Sequence, residues 1–241
     1  PITKEQIKFL MANKNTNSVS KTEIQKTKIE TTNRQNNIKP IIPNIPGKDL
    51  EGLHFLKLFQ EGQEVDRDMS RDDVQTVAVI GAGYIGVEIA EAAKRRGKNV
   101  LLFDAMPTSL ASYYDPEFTQ HMDKNLEANG IELHFGELAT EYKGDKRVEQ
   151  LVTDKGTYDV DMVINAIGFT ANSDLGKDHL ETFRNGAYLV DNHQKTSDDS
   201  VYAVGDCATI YSNALEATTY IALATNAVRS GIIAGHNVGG T

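Results

Sequence analysis

A glycine-rich turn between a buried strand and a helix is the feature of this sequence best suited to chemistry. Residues 81–86, GAGYIG, follow the apolar run 77–80 and lead directly into a helical pattern. In such a G-x-G-x-x-G turn the amides and positive dipole of the helix start favour phosphates. The first glycine permits the bend, the second lets a pyrophosphate approach, and the third packs helix on strand. A dinucleotide site on Gly81, Gly83 and Gly86 is therefore predicted; a purely structural turn is the alternative.

An aspartate at the end of the next predicted strand sets the expected choice of dinucleotide. Asp104 closes the apolar run 100–103 and stands 23 residues after Gly81, close to the roughly 20 that a ribose-binding carboxylate requires. A carboxylate there accepts hydrogen bonds from ribose hydroxyls and repels a 2′-phosphate. No Arg or Lys follows in residues 105–107 to bind that phosphate. NADH is therefore expected to bind in preference to NADPH; an ordinary solvated carboxylate is the alternative.

The elements that would position these residues alternate between strand and helix before the pattern changes. Buried strands are predicted at 77–80, 100–103, 131–135 and 162–167, and helices at 84–96 and 116–129. Short strands separated by glycine turns, typical of a β-meander, are predicted at 138–142, 148–153 and 157–158. Further predictions are a short helix at 54–60, a strand at 201–204 and a long helix at 219–234. The expected class is α/β: a Rossmann-like NAD-binding domain with a parallel sheet, helices and a β-meander.

Composition excludes several classes of function. The net charge of −9 over 241 residues argues against a nucleic-acid partner, because phosphate binding needs clustered Lys and Arg. No apolar run approaches a membrane span, and no signal peptide opens the sequence. The single cysteine, Cys207, excludes an internal disulfide and favours a cytoplasmic setting. The six histidines show no metal-ligand spacing, so no metal site is expected.

Several motifs together resemble the FAD-dependent pyridine nucleotide-disulfide oxidoreductases. They are GAGYIGVEIAEAAKRRG (81–97), LASYYD (110–115), AIGFTAN (166–172), VYAVGDCAT (201–209) and TYIALATNAVRSG (219–231). Within that family they look most like the bacterial water-forming NADH oxidases, beside NADH peroxidases and coenzyme A-disulfide reductases. The resemblance implies hydride transfer from NADH to FAD, and then reduction of oxygen.

The resemblance also implies a domain plan, in which an NAD domain is inserted within an FAD domain. The resemblance begins at about Pro40 and implies a connector with a partial FAD-domain segment at 40–75. Residues 1–39 are rich in Lys, Asn, Gln and Thr and poor in large apolar residues, so we expect a polar and poorly ordered leader there. The NAD-binding Rossmann domain would occupy 76–195, and the C-terminal part of the FAD domain 196–241.

Roles for individual residues around the glycine turn follow from the same resemblance. Tyr84, next to Ile85 in the turn, matches a tyrosine that covers the flavin until NADH moves it; a core aromatic is the alternative. Glu88 matches a glutamate that pairs with a lysine near the flavin, or is a helix carboxylate favoured by the dipole. Tyr113 matches a contact to the adenosine part of NAD, or is a packing residue. Gly168 matches a glycine whose backbone lies beside the dinucleotide, or is a turn.

A second group of residues matches the flavin site of the family. Gly205 and Asp206 match its second flavin motif, in which the carboxylate accepts a hydrogen bond from a ribityl hydroxyl; a plain turn is the alternative. The backbone of Ala222, Leu223 and Ala224 matches the segment at the flavin pyrimidine and the nicotinamide. The positive end of the following helix would stabilise anionic reduced flavin. No residue is assigned a catalytic role.

Two parts that the family's enzymes use are not found in this sequence. The chain has one G-x-G-x-x-G turn, so the first FAD fingerprint is missing, and the family's redox cysteine is missing with it. Cys207 follows the flavin-motif aspartate and is interpreted as a structural cysteine. We therefore expect weak or no FAD binding by this chain alone, with the missing half supplied by another polypeptide or by none.

Two functions from different classes remain open. One is an NADH:oxygen oxidoreductase, or a piece of one, with NADH, FAD and oxygen as its small-molecule partners. The other is an NADH-binding module or an incomplete subunit, which would associate with a missing FAD-domain half or with copies of itself. A flavin-independent NAD dehydrogenase is disfavoured, because the β-meander followed by a strand that ends in Gly-Asp fits the flavin family better.

Overall fold

A computed structural model describes residues 38–240, which divide into two compact units. One unit is Pro40–Gly168, and the other contains the described residues 38–39 and 169–240. The predicted leader at 1–39 falls almost entirely outside the described residues. This division assigns no cofactor to either unit, so the predicted domain limits at 76 and 195 stay predictions.

The secondary structure alternates in the first half of the described chain and is dominated by short strands later. The helices are α1 (Phe59–Met69), α2 (Tyr84–Arg95), α3 (Pro116–Ala128) and α4 (Ala224–Gly239). The strands up to the β-meander are β1 (Ile38–Pro40), β2 (Leu53–Phe55), β3 (Thr76–Ile80), β4 (Asn99–Asp104) and β5 (Ile131–Phe135). The others are β6 (Ala139–Lys143), β7 (Gln150–Thr153), β8 (Thr157–Asp159), β9 (Met162–Asn165), β10 (Phe169–Ala171), β11 (Ile210–Ser212) and β12 (Ala217–Thr219).

A five-stranded parallel sheet forms the centre of the unit Pro40–Gly168. Its strand order is β2-β9-β3-β4-β5, and every neighbouring pair is parallel. The chain runs from β3 through α2, β4 and α3 to β5, and then returns to β9 on the other side of β3. The carboxyl end of β3 is therefore a topological switch point, the place where open α/β sheets bind ligands. The predicted Rossmann-like α/β fold is confirmed.

The sheet is buried on both faces, which explains the continuous apolar runs of its strands. Val77 and Val79 face the side covered by the helices, with Ile89 and Ala90 of α2 packed against them. Alternate residues of the same strands face the antiparallel sheet β6-β7-β8, the predicted meander; they include Ala78, Ile80, Phe103 and Val163. The glycine turn thus leaves a strand that packing fixes from both sides.

The predicted helix at 54–60 is wrong. Leu53–Phe55 is strand β2, which pairs in parallel with β9, and the helix begins at Phe59 and ends at Met69. Its start is fixed by Glu61, whose carboxylate accepts hydrogen bonds from the Lys57 and Leu58 amides at 2.7 Å. Pairing with a neighbouring strand, which depends on residues a hundred positions away, overrode the local preference.

Two predictions in the second unit are also wrong. Residues 201–204 form no strand; Tyr202 makes an isolated bridge with Lys195, and a 3₁₀ turn follows at Gly205–Cys207. The predicted helix at 219–234 begins five residues later than expected, at Ala224, and ends at Gly239. Thr219 belongs instead to β12, which pairs antiparallel with β11. A β-branched threonine suits this hairpin better than a helix start.

Candidate functional site

The glycine turn at the carboxyl end of β3 has room for a ligand at one glycine only. Gly81 has a φ of +102°, and a Cβ built there would lie 2.5 Å from the Ala166 oxygen. A Cβ on Gly86 would lie 1.7 Å from the Gly81 oxygen, but one on Gly83 would meet nothing closer than 3.8 Å, at Tyr113. Backbone packing therefore fixes the first and third glycines, whereas Gly83 faces an open cradle that a phosphate group fits.

The start of α2 presents unneutralised positive charge to this cradle. Gly83 is the N-cap and supplies no side-chain hydrogen bond, so the first amides of the helix lack side-chain partners. No acidic residue lies in the first turn, which contains Tyr84 and Ile85. Free amides and the helix dipole together favour an anion at this end.

Asp104 lies at the end of β4, beside the glycine turn. Its Oδ2 accepts a hydrogen bond from the Ala82 amide at 2.6 Å, and its Oδ1 accepts one from the Met106 amide at 2.7 Å. The carboxylate thus joins the turn to the loop that follows β4. A carboxylate has about four acceptor positions, so both oxygens retain capacity for ribose hydroxyls.

The loop 105–114 forms the wall opposite the turn. A shallow cavity of about 40 Å³ lies between them, and its lining includes Gly83, Asp104, Met106 and Tyr113. The cavity is smaller than a nucleoside, so a bound dinucleotide would extend along the open surface of the turn. The structure brings four predicted site residues together here: Gly81, Gly83, Asp104 and Tyr113.

Three tyrosines form a cluster at the mouth of this site. The Tyr84 and Tyr113 ring centroids are 4.4 Å apart, and the Tyr84 hydroxyl donates to the Tyr114 hydroxyl at 2.7 Å. That hydrogen bond raises the pKa of the Tyr84 phenol. Tyr84 is 44% exposed and Tyr113 is 56% exposed. The alternative that Tyr84 is a core aromatic is therefore excluded, and its ring is accessible to a ligand.

Two other predicted residues flank the turn. Glu88 is exposed on α2, one helical turn after Tyr84, so the two side chains share a helix face. Gly168 has a φ of +111°, a conformation that favours glycine, and its oxygen accepts a hydrogen bond from the Ile41 amide at 3.0 Å. The role of each toward a cofactor stays a prediction.

The second group of predicted flavin residues, at 205–206 and 222–224, lies in the second unit. Gly205 has a φ of +72°, and its amide donates to the Ser230 hydroxyl of α4 at 3.1 Å. The Tyr220 hydroxyl donates to the Asp206 carbonyl at 2.8 Å. Because α4 begins at Ala224, the exposed Ala222 and Leu223 precede it, and its N-cap Leu223 makes no side-chain cap. The first amides of α4 therefore have no side-chain cap.

Cys207 has the surroundings of a structural cysteine. It packs beside the cluster of Leu180, Tyr188, Ala203 and Ala208, and its thiol contacts the Val204 oxygen at 3.4 Å. Burial raises the pKa of this thiol to about 11. A redox-active cysteine requires the opposite shift, because the thiolate is the reactive form.

The residues that hold the loop 105–114 in place are not marked by any sequence motif. Leu110 donates its amide to the Ala82 oxygen at 2.8 Å, and Thr108 and Ser109 bond to Asp123 of α3. The polar pair before Leu110 is the available signal, but nothing in the pattern indicates Asp123 as its partner.

Among residues 38–240, no group of His, Cys, Asp and Glu side chains could hold a metal ion, and no helix could cross a membrane.

Comparison with protein families gives a match over most of the described chain. The family of pyridine nucleotide-disulphide oxidoreductases matches residues 38–231. The chain belongs to this family. The match confirms the predicted resemblance and includes the glycine turn, Asp104 and the Gly205-Asp206 segment.

Two curated relatives of this chain are NADH oxidases. The chain is 70% identical over 204 residues to the NADH oxidase of Lactococcus lactis, covering 84% of this chain and 46% of that protein. It is 51% identical over 214 residues to the NADH oxidase of Streptococcus pyogenes, covering 84% of this chain and 47% of that protein. The chain therefore spans about half the length of these relatives.

Solved structures show the same fold. The water-forming NADH oxidase from Lactobacillus brevis, bound to NADH, matches with a TM-score of 0.80 at 36% identity, over 84% of this chain and 44% of that one. An engineered water-forming NADPH oxidase, derived from it and bound to NADPH, matches with a TM-score of 0.80 at 34% identity, over the same shares. An FAD-dependent family member from Desulfovibrio vulgaris matches with a TM-score of 0.76 at 29% identity, over 85% of this chain and 52% of that one.

The open cradle at Gly83 predicts that a side chain there blocks the dinucleotide without unfolding the turn. Gly83 has an extended backbone, with φ −74° and ψ −172°, which valine also adopts. We expect Gly83→Val to weaken NADH binding at least about a hundredfold, or ~2.7 kcal/mol, as measured by calorimetric titration. Gly231→Val in α4, where an added Cβ meets nothing within 4 Å, is the control and should bind normally. Unchanged binding by the Gly83 variant would exclude the turn as the phosphate site.

The raised pKa of Cys207 predicts slow reaction with a disulfide reagent such as dithionitrobenzoate. A thiol with a pKa near 11 is almost wholly protonated at pH 8. Its reaction should therefore be about a hundredfold slower than that of the unfolded chain, whose cysteine has a pKa of about 8.5. The rate should climb through pH 10 in the folded chain but level off above about pH 9 in the unfolded one. Equal rates at pH 8 would refute the structural interpretation.

Proposed function

We propose that this chain binds NADH and provides the dinucleotide-binding part of a flavin-dependent NADH oxidase. The observation that carries the proposal is the carboxylate of Asp104, held beside the glycine turn by the Ala82 amide. In this position it would accept the ribose hydroxyls of NADH and repel a 2′-phosphate, while the pyrophosphate lies against Gly83 and the start of α2. The single cysteine fits a reduced, cytoplasmic setting for this function.

The engineered NADPH oxidase supports this assignment of Asp104. Three of its five changes replace consecutive Asp, Ala and Met residues by Ala, Arg and Ser, and a fourth replaces a glycine that stands 18 residues before that aspartate by alanine. The fifth replaces a proline, seven residues after the aspartate, by arginine. In the present chain Asp104-Ala105-Met106 is the same tripeptide, and Gly86 stands 18 residues before Asp104. Removing the carboxylate and adding a guanidinium is the change expected for a site that must accept a 2′-phosphate.

The oxidase part of the proposal rests on the second unit and on the relatives. When FAD is bound, it supplies the acceptor for the NADH hydride and the route by which electrons reach oxygen. Asp206 and the open start of α4 would hold the ribityl chain and the flavin ring. By the family resemblance, Tyr84 would cover the flavin until NADH displaces it, and Glu88 would pair with a lysine of the FAD domain.

A second candidate, an NADH-binding module without oxidase activity of its own, is favoured by one observation. The chain contains a single G-x-G-x-x-G turn, whereas FAD and NADH each carry a pyrophosphate that needs a cradle. In this case an FAD-domain half on another polypeptide, or a second copy of the chain, would complete the flavin site.

The proposed role of Asp104 predicts that two substitutions reverse the preference for NADH over NADPH. The double variant Asp104→Ala/Ala105→Arg should prefer NADPH, because the guanidinium binds the 2′-phosphate that the carboxylate repels. NADH affinity should fall about tenfold, the size of one lost hydrogen bond to a charged group. Competitive titration of both dinucleotides measures the preference. Ala105→Arg alone is the control and should still favour NADH; continued preference for NADH by the double variant would overturn the assignment.

A flavin-retention experiment separates the two candidates. We expect the chain, incubated with excess FAD and freed of unbound flavin, to show little flavin absorbance while still binding NADH. That result supports the binding module. A retained flavin band that bleaches on addition of NADH would instead establish electron transfer within this chain, and oxygen consumption would then be measured.

A further inference from the structure

The loop 105–114 forms most of one wall of the dinucleotide site without belonging to a strand or helix. It leaves β4 at Asp104 and reaches α3, which begins at Pro116. Two backbone bonds tie it to neighbouring segments: the Leu110 amide donates to Ala82 at 2.8 Å, and the Gly136 amide donates to Met106 at 2.9 Å. A wall built from irregular chain needs further support to keep its shape.

The centre of this loop holds a conformation that leucine disfavours. Leu110 has a φ of +53° and is only 6% exposed. For a residue with a Cβ, the left-handed region is sterically disfavoured, because the Cβ comes too close to the following carbonyl oxygen. Such residues persist only where the surrounding structure over-determines them, and they cluster at ligand clamps and active sites. The bond from Leu110 to Ala82 in the glycine turn makes this conformation part of the site.

The two residues that precede Leu110 are both hydrogen-bonded to one carboxylate. Asp123 of α3 accepts hydrogen bonds from the Thr108 hydroxyl, from the Ser109 amide at 3.1 Å and from the Ser109 hydroxyl at 2.6 Å. Ser109 is completely buried. These bonds reach the two residues directly before Leu110, and hydrogen bonds to a carboxylate are among the strong ones.

We propose that Asp123 is a positioning residue of the dinucleotide site, which sets the wall for the adenosine-ribose half of the ligand. It fixes Thr108 and Ser109, these force Leu110 into its left-handed conformation, and Leu110 then holds the loop against the glycine turn. Met106 and Tyr113, on either side of Leu110, consequently face the same cavity as Asp104. The inference rests on the proposed function and deepens it.

The packing of α3 does not need this carboxylate. The helix is held to the sheet by apolar contacts in which Leu126 is buried and Met122 is partly buried. The side-chain bonds described for Asp123 all go to the loop. Removal of the carboxylate therefore acts on the loop first and on the helix only slightly.

The test uses ADP-ribose, which contains the adenosine half and the pyrophosphate of NADH but no nicotinamide. Its binding can therefore be measured without flavin. Its dissociation constant is measured by calorimetry for the unchanged chain, for Asp123→Ala and for Glu127→Ala. Glu127 is exposed on the same helix, so its variant removes the same charge at a similar place. We expect about tenfold weaker binding for the Asp123 variant, near the value of one hydrogen bond to a charged group, and no change for the Glu127 variant.

Two further variants keep the inference testable if the Asp123→Ala chain folds poorly. Thr108→Val/Ser109→Ala removes the hydroxyl bonds from the loop side and should weaken ADP-ribose binding similarly. Asp123→Asn retains one oxygen for Ser109 and should bind with intermediate affinity. A purely structural role would lower the melting temperature and leave ADP-ribose affinity unchanged.

The outcomes distinguish the two proposals. If the unchanged chain binds ADP-ribose and all three loop-anchor variants bind it equally well, the positioning role is overturned and the proposed NADH site stands. If the unchanged chain fails to bind ADP-ribose, the proposed site falls, and the role of Asp123 falls with it.

Discussion

The hydrogen bond from the Ala82 amide to the Asp104 carboxylate is the interaction on which the arrangement of this site depends. It joins the ends of β3 and β4, two parallel strands that packing on both faces already holds in register. The same carboxylate accepts the Met106 amide, so it also sets the direction of the loop that follows. One side chain therefore connects the phosphate cradle, the loop and the charge that would select the ribose.

This arrangement places two demands on one carboxylate. It must accept hydrogen bonds from two amides, yet keep acceptor capacity for ribose hydroxyls. The glycine turn supplies one of these amides, that of Ala82, directly after Gly81, whose φ of +102° favours glycine. Replacement of Asp104 therefore removes the acceptor for the Ala82 and Met106 amides as well as a ligand contact.

The parts of the site that were predictable from sequence are those whose cause is local. The sequence predicts the glycine turn and Asp104, because the steric demands at Gly81 and Gly86 and the strand-end position of Asp104 act within a few residues. Strand β2 was missed because it forms only by pairing with β9, far along the chain. The predicted start of α4 at Thr219 is wrong because Thr219 belongs to the hairpin between β11 and β12.

The sequence does not predict the contribution of Asp123, because it too depends on contacts between residues that are distant in the chain. A mid-helix aspartate is a common solvated residue, and its importance arises only where the fold brings it to Ser109 and Thr108. Local sequence fixes the chemistry that a Rossmann turn can do, since glycine and carboxylate are required by type and spacing. Long-range packing fixes how firmly the site is held, because Leu110 takes its strained conformation only when α3 presents an acceptor. The affinity of this site is therefore a property of the packed unit Pro40–Gly168, and not of its glycine motif alone.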